Sequence, residues 1–415
     1  MVEKIMSFLD KHASFISKYN RILIFLFITL FFVENVTRYK HILFYIMIAT
    51  ALFYIFSDTK KVLSKLKNKE FYFVVLLSLA FYLSVTYSSL TKDSLKFVNN
   101  NLLNYGILSL AILFPIILYR ENVKNISKLI ITSYISALVL LLAIELVRYI
   151  IAYQNGIMPF TTYNFRSVSD SLTFFFPIIP ILWYMLPKSK LIYFYALCIV
   201  FLFVLLGTLS RGAWLAVAAS GVLFLCFKRP WKLMAVSFGI VAIGLVSLKM
   251  IYPDATNTLF FKLEQTDSSH RYTNGTQGTA FELIMENPLI GYGPGDKVFH
   301  EKYNSVVEQH PNWTYRSSIG PHNIWLLIWF GAGILGLVSF SLLVFSAGYT
   351  SCKSVFTNRE NQMIYFAYLA LFISLISFYL VRGMFEQVDL KPLGLILGLL
   401  IAMTNADFTK RMDQK

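Results

Sequence analysis

Runs of roughly 15–25 mostly apolar residues recur along nearly the whole chain, and each is about the length that carries a helix across a bilayer. They lie at 22–36, 41–56, 71–90, 103–119, 129–152, 172–186, 191–209, 213–227, 233–251, 322–347, 363–381 and 390–403. In lipid a helix satisfies its own backbone N–H and C=O groups, which an open strand cannot do. The pattern predicts an all-α, polytopic membrane protein with about twelve transmembrane helices. Composition points the same way. Of the 415 residues, 57% are hydrophobic and 14% are charged, whereas soluble domains carry roughly 25% charged residues. The 38 Phe and 25 Tyr suit lipid-facing and interfacial positions.

The net charge of +15 has a membrane reading rather than a nucleic-acid one. There is no long basic run and no RNA-binding motif, so no nucleic-acid partner is expected. With the N-terminus in the cytoplasm, the alternating inside loops hold Lys60, Lys61, Lys65, Lys67 and Lys69, then Arg120, Lys124 and Lys128, then Lys188 and Lys190, then Lys228, Arg229 and Lys232. Lys353, Arg359, Lys410, Arg411 and Lys415 complete the set. The intervening loops are poorer in positive charge, which is the positive-inside pattern and places both termini in the cytoplasm. Cys198, Cys226 and Cys352 have no spacing that suggests a disulfide framework or a zinc site. The polar, amphipathic start leads into an apolar run with no small-residue cleavage site, and reads as the approach to a first span rather than a removed signal peptide.

One connection breaks the rhythm. Residues 252–321, about seventy in number, form an outer loop far longer than a helix link needs, which marks it as functional. The chain thus divides into helices 1–9 (residues 1–251), a loop domain (252–321), and helices 10–12 with a cytoplasmic tail (322–415). Within the loop, 277–286 places Ala280, Phe281, Ile284 and Met285 on one side at helical spacing. Asn287-Pro288 stops that helix, and Gly291, Gly293, Pro294 and Gly295 form a turn. A second outer segment, 154–170, is shorter and aromatic. No internal repeat is visible.

The polar residues at the outer ends of the spans are the candidates for chemistry. Arg211, in Thr208-Leu-Ser-Arg-Gly-Ala-Trp214, lies between two spans. It reads either as an arginine snorkelling to headgroups or as an anion clamp, since guanidinium matches phosphate oxygens. Gly212 would let backbone approach closely. Arg271, in Ser268-Ser-His-Arg-Tyr-Thr273, is either an exposed loop arginine or the partner of Arg211 around a diphosphate. His270 beside it reads as a surface histidine. His322, in Gly320-Pro-His-Asn-Ile-Trp325, is either interfacial or a base able to accept a proton from a sugar hydroxyl. Asn323 could orient it or the substrate. Gly333 follows His322 by eleven residues, which at about 100° per residue returns to nearly the same helix face, and Gly336 lies close to that face. Small residues there would let another helix pack tightly. Arg382, Glu386 and Asp389 share a short outer loop, as a local ion-pair network or as binding groups. Glu145 and Arg148 form an i,i+3 pair of structural type.

Several motifs are missing: Asp-x-Asp, a Walker loop, His-Glu-x-x-His and Gly-x-Ser-x-Gly. Arginines and a histidine, rather than paired carboxylates, suggest a phosphorylated substrate handled without a metal, with cations stabilising the leaving group. No metal site and no cofactor are expected.

The segment His322-Asn323, nine residues, then Gly333-Ile-Leu-Gly336 matches the motif of a known family. So do Gly156-Ile-Met-Pro-Phe160, Ser169-Asp-Ser171, Gly207-Thr-Leu-Ser-Arg-Gly-Ala-Trp-Leu215, Gln265-Thr-Asp-Ser-Ser269, Arg271-Tyr-Thr-Asn-Gly-Thr-Gln-Gly-Thr-Ala280 and Phe385-Glu-Gln-Val-Asp389. On these the chain resembles the bacterial O-antigen ligases, particularly enterobacterial ones, in a superfamily shared with O-antigen polymerases. The likeness covers most of the chain, including the hydropathy profile and the long loop. It implies an inner-membrane enzyme acting on the periplasmic face. Such an enzyme moves a polysaccharide from undecaprenyl diphosphate to the lipid A–core oligosaccharide, without metal or ATP. It implies a fold similar to membrane glycosyltransferases with polyprenyl-linked donors (GT-C-like). The family's essential arginines carry over to Arg211 and Arg271, its histidine to His322, and its acidic residue to Asp389. Direct displacement would invert the anomeric centre.

Two other readings stand beside it. An O-antigen polymerase uses the same donor but a lipid-linked acceptor. A transporter or flippase for a lipid-linked sugar would show broken helices near the midplane, coupling-ion ligands or repeats.

Overall fold

The computed structural model describes residues 11–229 and 270–413, with isolated positions between 231 and 261. The ninth expected span (233–251) for the most part, and Gln265-Thr-Asp-Ser-Ser269, lie outside the described residues. Among the described residues the elements are helical. In order they are α1 (Ala13–Leu30), α2 (Thr37–Ser57), α3 (Lys69–Val85), α4 (Thr91–Leu102), α5 (Ile107–Ile117) and α6 (Val123–Gln154). There follow α7 (Ser169–Phe175), α8 (Ile178–Met185), α9 (Leu191–Gly207) and α10 (Arg211–Phe227). The loop domain holds α11 (Thr276–Glu286) and α12 (Asp296–Val306), and α13 (Ile324–Thr357), α14 (Gln362–Leu375) and α15 (Lys391–Asp413) complete the chain. Seven helices here are long and apolar enough to cross a membrane, eight if one bent pair is a single span, and Arg211–Phe227 and Lys391–Ala406 are shorter apolar helices. The chain is a multi-pass membrane protein.

Burial sorts the helices. α14 and most of α15 are enclosed, whereas α2 presents Tyr39, Tyr45, Phe53 and Phe56 outward. An apolar exterior is what a lipid-facing helix requires. α15 packs on α5 and α13 on α3. The α15–α5 approach is set by Gly394 and Gly398, one turn apart. A Cβ on Gly394 would stand 2.8 Å from the Gly106 carbonyl oxygen, and one on Gly398 would overlap that of Leu110. In lipid, where no hydrophobic force draws helices together, such close contact supplies the attraction.

Two expected spans are reorganised. The run at 103–119 is shortened to α5: α4 ends at Leu102, and α5 starts only at Ile107, after a turn in which Tyr105 has φ 42°. Asn104 N–H bonds back to the Asn99 carbonyl at 3.0 Å, closing α4. α5 is short and ends near Pro115; its Ile117 carbonyl accepts from the buried Asn20 side chain at 3.0 Å. The run at 172–186 is bent by 49° between Tyr163–Phe175 and Ile178–Met185, where Pro177 cannot donate a backbone hydrogen bond. The Ser374 hydroxyl donates to the Phe174 carbonyl at 2.7 Å beside that bend.

The third departure concerns Gly333. The helix begins at Ile324, not at His322, and Gly333 interrupts it with φ 59° and ψ −160°. His322 and Gly333 therefore do not share a helical face. The interruption frees backbone groups, and the loop domain takes them. Tyr292 N–H donates to the Phe330 carbonyl at 2.8 Å, Gly293 N–H to Gly331 at 2.9 Å, and Ile334 N–H to Leu289 at 3.2 Å. A Cβ on Gly333 would overlap the Leu289 carbonyl, and one on Gly336 would overlap Ala332 of its own helix. These glycines seat the 287–293 turn and the kink rather than a neighbouring helix. The break lies toward the loop-domain end of α13, where loop backbone satisfies it.

Gly333→Val is expected to lower the melting midpoint in detergent markedly, since it adds steric overlap to about 1–3 kcal/mol of backbone strain. Gly221→Ala on α10, where an added Cβ meets nothing within 4 Å, serves as the control and should hold or raise the midpoint. Equal midpoints for both variants would contradict this account of the kink.

Candidate active site

Arg211, Arg271 and His322, up to 111 positions apart in sequence, line one cavity of about 410 Å³ together with His270, Thr276 and Tyr315. Each comes from a different element. Arg211 opens α10. Its turn packs against the 382–386 segment at Gly212, where an added Cβ would stand 3.5 Å from the Arg382 guanidinium and 3.5 Å from Glu386 Cγ, ordinary contact distances. Arg271 lies in the tight loop before α11. Its carbonyl accepts from Gln277 N–H at 2.9 Å and Gly278 N–H at 3.0 Å, and Gly275 N–H bonds the His270 carbonyl at 2.6 Å. A Cβ on Gly275 would sit 2.6 Å from that same carbonyl oxygen, so the loop requires glycine. Arg271 Nη1 donates to the Phe385 carbonyl at 3.0 Å, which fixes the guanidinium.

His322 sits just ahead of α13 with φ 46°, a left-handed conformation uncommon for a residue with a side chain. Such strain persists only where the surroundings impose it. Gln277 Nε2 holds the His322 carbonyl at 3.2 Å and the Met384 carbonyl at 2.8 Å. Asn323 does not face the cavity as a ligand. Its Oδ1 caps α13 by accepting from Trp325 N–H at 2.9 Å and Leu326 N–H at 3.2 Å, and its amide reaches Gln277 at 3.4 Å.

The His322 ring has an acidic partner that sequence reasoning placed nearby without pairing it: Nδ1 lies 3.0 Å from Glu386 Oε2. The other Glu386 oxygen accepts from Arg166 Nη2 at 2.6 Å. Burial pushes the Glu386 carboxyl up, but the His322 hydrogen bond and the charges of Arg166 and Arg382 outweigh it and hold the pKa down at about 2. Glu386 is therefore an ionised, acceptor-only group at neutral pH. It leaves Nδ1 to carry the hydrogen and turns the lone pair of Nε2 outward.

Arg382 and Asp389 stand away from the cavity. Arg382 is buried and bonds Ser169 Oγ at 2.7 Å, Ser210 Oγ at 3.2 Å and the Asp170 carboxylate. It ties α7, the start of α10 and the 382–386 turn together. A π-type turn at Ile376–Val381, then a 3₁₀ turn at Arg382–Met384, delivers it there. Asp389 Oδ1 accepts from Lys391 N–H at 3.0 Å. Its carboxyl is raised by burial, against the opposing pull of Lys391. Gly333 and Gly336 act through the kink. Glu145 and Arg148 pair at 2.7 Å as read from the sequence, and Arg148 also holds the Asn164 carbonyl at 3.1 Å.

Two arginines, an oriented imidazole and a small cavity form a constellation suited to an anionic leaving group and an acceptor that must lose a proton. Comparison with known proteins agrees in kind. Residues 196–341, which include Arg211, Arg271 and His322, match the family described as O-Antigen ligase. The O-antigen ligase of Salmonella typhimurium is 41% identical over 392 residues, 93% of this chain and 96% of its own length. On that similarity, the chain belongs to the O-antigen ligase family.

Proposed function

We propose that this protein transfers O-antigen polysaccharide from undecaprenyl diphosphate to the lipid A–core oligosaccharide, on the periplasmic face of the bacterial inner membrane. The observation that carries the reading is the meeting of Arg211, Arg271 and His322 in one cavity, with Glu386 on the imidazole. Arg211 and Arg271 bind the donor diphosphate and neutralise the charge that grows on it as the glycosidic C1–O bond breaks. His322 Nε2 takes the proton of the acceptor hydroxyl while its oxygen forms the new bond to C1. Glu386 holds the ring in the tautomer this needs and stabilises the imidazolium that results. Undecaprenyl diphosphate leaves, His322 returns the proton to solvent, and attack opposite the leaving group inverts the anomeric centre. The arginines supply the charge stabilisation that other enzymes take from a metal, and no cofactor enters the scheme. About twelve crossings in a GT-C-like arrangement, with both termini cytoplasmic, would put the cavity at the periplasmic end.

The test is transfer by purified protein given undecaprenyl-diphosphate-linked glycan and lipid A–core, in EDTA. Product on the core supports the reading. Chain growth on the lipid carrier instead would identify a polymerase, and transfer only after metal addition would overturn the role given to the arginines.

A further inference from the structure

A second and larger cavity, about 990 Å³, lies between α4 and α12 and takes no part in the scheme above. Lys92 and Lys96 of α4 line it, and neither ammonium group has a hydrogen bond or ion pair among the described residues. Asn100 and Asn104 add amides; the Asn100 carbonyl oxygen accepts from Lys391 Nζ at 3.0 Å and from the Asn104 NH₂ at 3.3 Å, which leaves the Asn100 NH₂ to donate elsewhere. Tyr45 and Phe97 contribute rings. The three lysines of the lining, Lys92, Lys96 and Lys297, outnumber its two carboxylates. Asp93 is paired with Lys297 at 2.7 Å, and the Asp296 carboxylate accepts from the Gln387 amide. The cavity is therefore cationic, amide-rich and partly aromatic. Those features suit phosphates, sugar hydroxyls and the apolar faces of sugar rings.

Gln387 links Asp296 of this lining to the loop that precedes His322. Its NH₂ bonds Asp296, and its carbonyl oxygen lies 3.3 Å from where a Cβ on Gly320 would stand, two residues before His322. Tyr45, Leu95 and Leu103 of the lining are exposed, as befits a cavity that opens at a membrane interface.

We propose that this cavity is the acceptor subsite. It takes the anionic, phosphate-bearing oligosaccharide of a membrane-anchored glycolipid and extends its terminal sugar past Gln387 to His322. This rests on the glycosyl-transfer reading above. The donor diphosphate already has two arginines in the other cavity. Displacement in line requires the acceptor oxygen to enter from the side away from the leaving group.

The experiment compares the full-length wild type with a Lys92→Gln/Lys96→Gln double variant, both substitutions being at exposed positions. Initial rates are measured with acceptor varied at fixed donor, then with donor varied at fixed acceptor. The acceptor KM is expected to rise about tenfold or more, the scale of losing charge-assisted contacts, while the donor KM stays within about twofold. Enzymatically dephosphorylated lipid A–core should erase most of the difference between the two proteins. An unchanged acceptor KM, or a rise confined to the donor, would overturn the proposal. If wild type transfers nothing, the glycosyl-transfer reading fails by itself. Binding of phosphorylated lipid A–core measured without donor then tests the cavity: weaker binding by the double variant supports it, and equal binding overturns it.

Discussion

His322→Ala is expected to lower the transfer rate at saturating donor and acceptor by roughly 10²–10⁴-fold, the usual worth of a positioned general base. Donor binding should persist, because Arg211 and Arg271 remain. Structure should persist too, because it is the backbone of His322 that Gln277 holds, through its carbonyl. Glu386→Gln is the companion variant. It keeps the shape but loses the obligate acceptor, so the ring can adopt the wrong tautomer, and the rate should fall by about tenfold or more. The Glu386 carboxyl is held down at about 2, below its unfolded value of ~4.3. Its contribution to stability is present above the unfolded value and is lost as pH falls toward 2. Between roughly pH 5 and 8 it stays ionised, so its replacement should scale the pH–rate profile without removing a limb. Wild-type rates in His322→Ala, measured by the same transfer assay, would remove the histidine from the chemistry.

Arg211→Gln should reduce transfer by about 10²–10³-fold, as expected when one preorganised donor to a developing anion is lost. Arg211→Lys restores the charge but not the planar fork, and should recover only part of the loss. This pair separates a clamp from a headgroup anchor. An arginine that only snorkels would be replaced by lysine without cost, since both side chains reach the interface. Arg271 is the less clean probe, because its guanidinium also holds the Phe385 carbonyl beside Glu386. Rates for Arg211→Gln within twofold of wild type, with protein inserted at normal levels, would dismiss the clamp.

Much of the fold was legible in the sequence, and for a local reason. Helix stands at each expected span within the described residues, including α11, whose apolar spacing and Asn287-Pro288 stop were both visible. What escaped were the interruptions. The turn between α4 and α5, the Pro177 bend and the Gly333 kink lie inside runs whose average hydropathy is unbroken. Pro177 and the Gly394–Gly398 pair were signals that could have been read. The Gly333 break could not, because what stabilises it is backbone from residues 289–293.

The candidate site divides in the same way. Arg211 and His322 could be named from residue type and position, because polar groups at the ends of apolar spans stand out, and Arg271 from its place in the long loop. The sequence by itself thus determined the class of protein and the chemical groups at hand, since hydropathy, helix length and charge add up residue by residue along the chain. Only the tertiary structure decided which acid serves His322. It is Glu386, 64 positions away, while Arg382 became a strut and Asp389 turned to Lys391. A pairing of that kind depends on how separate helices meet, and packing between distant elements leaves no local pattern in the chain.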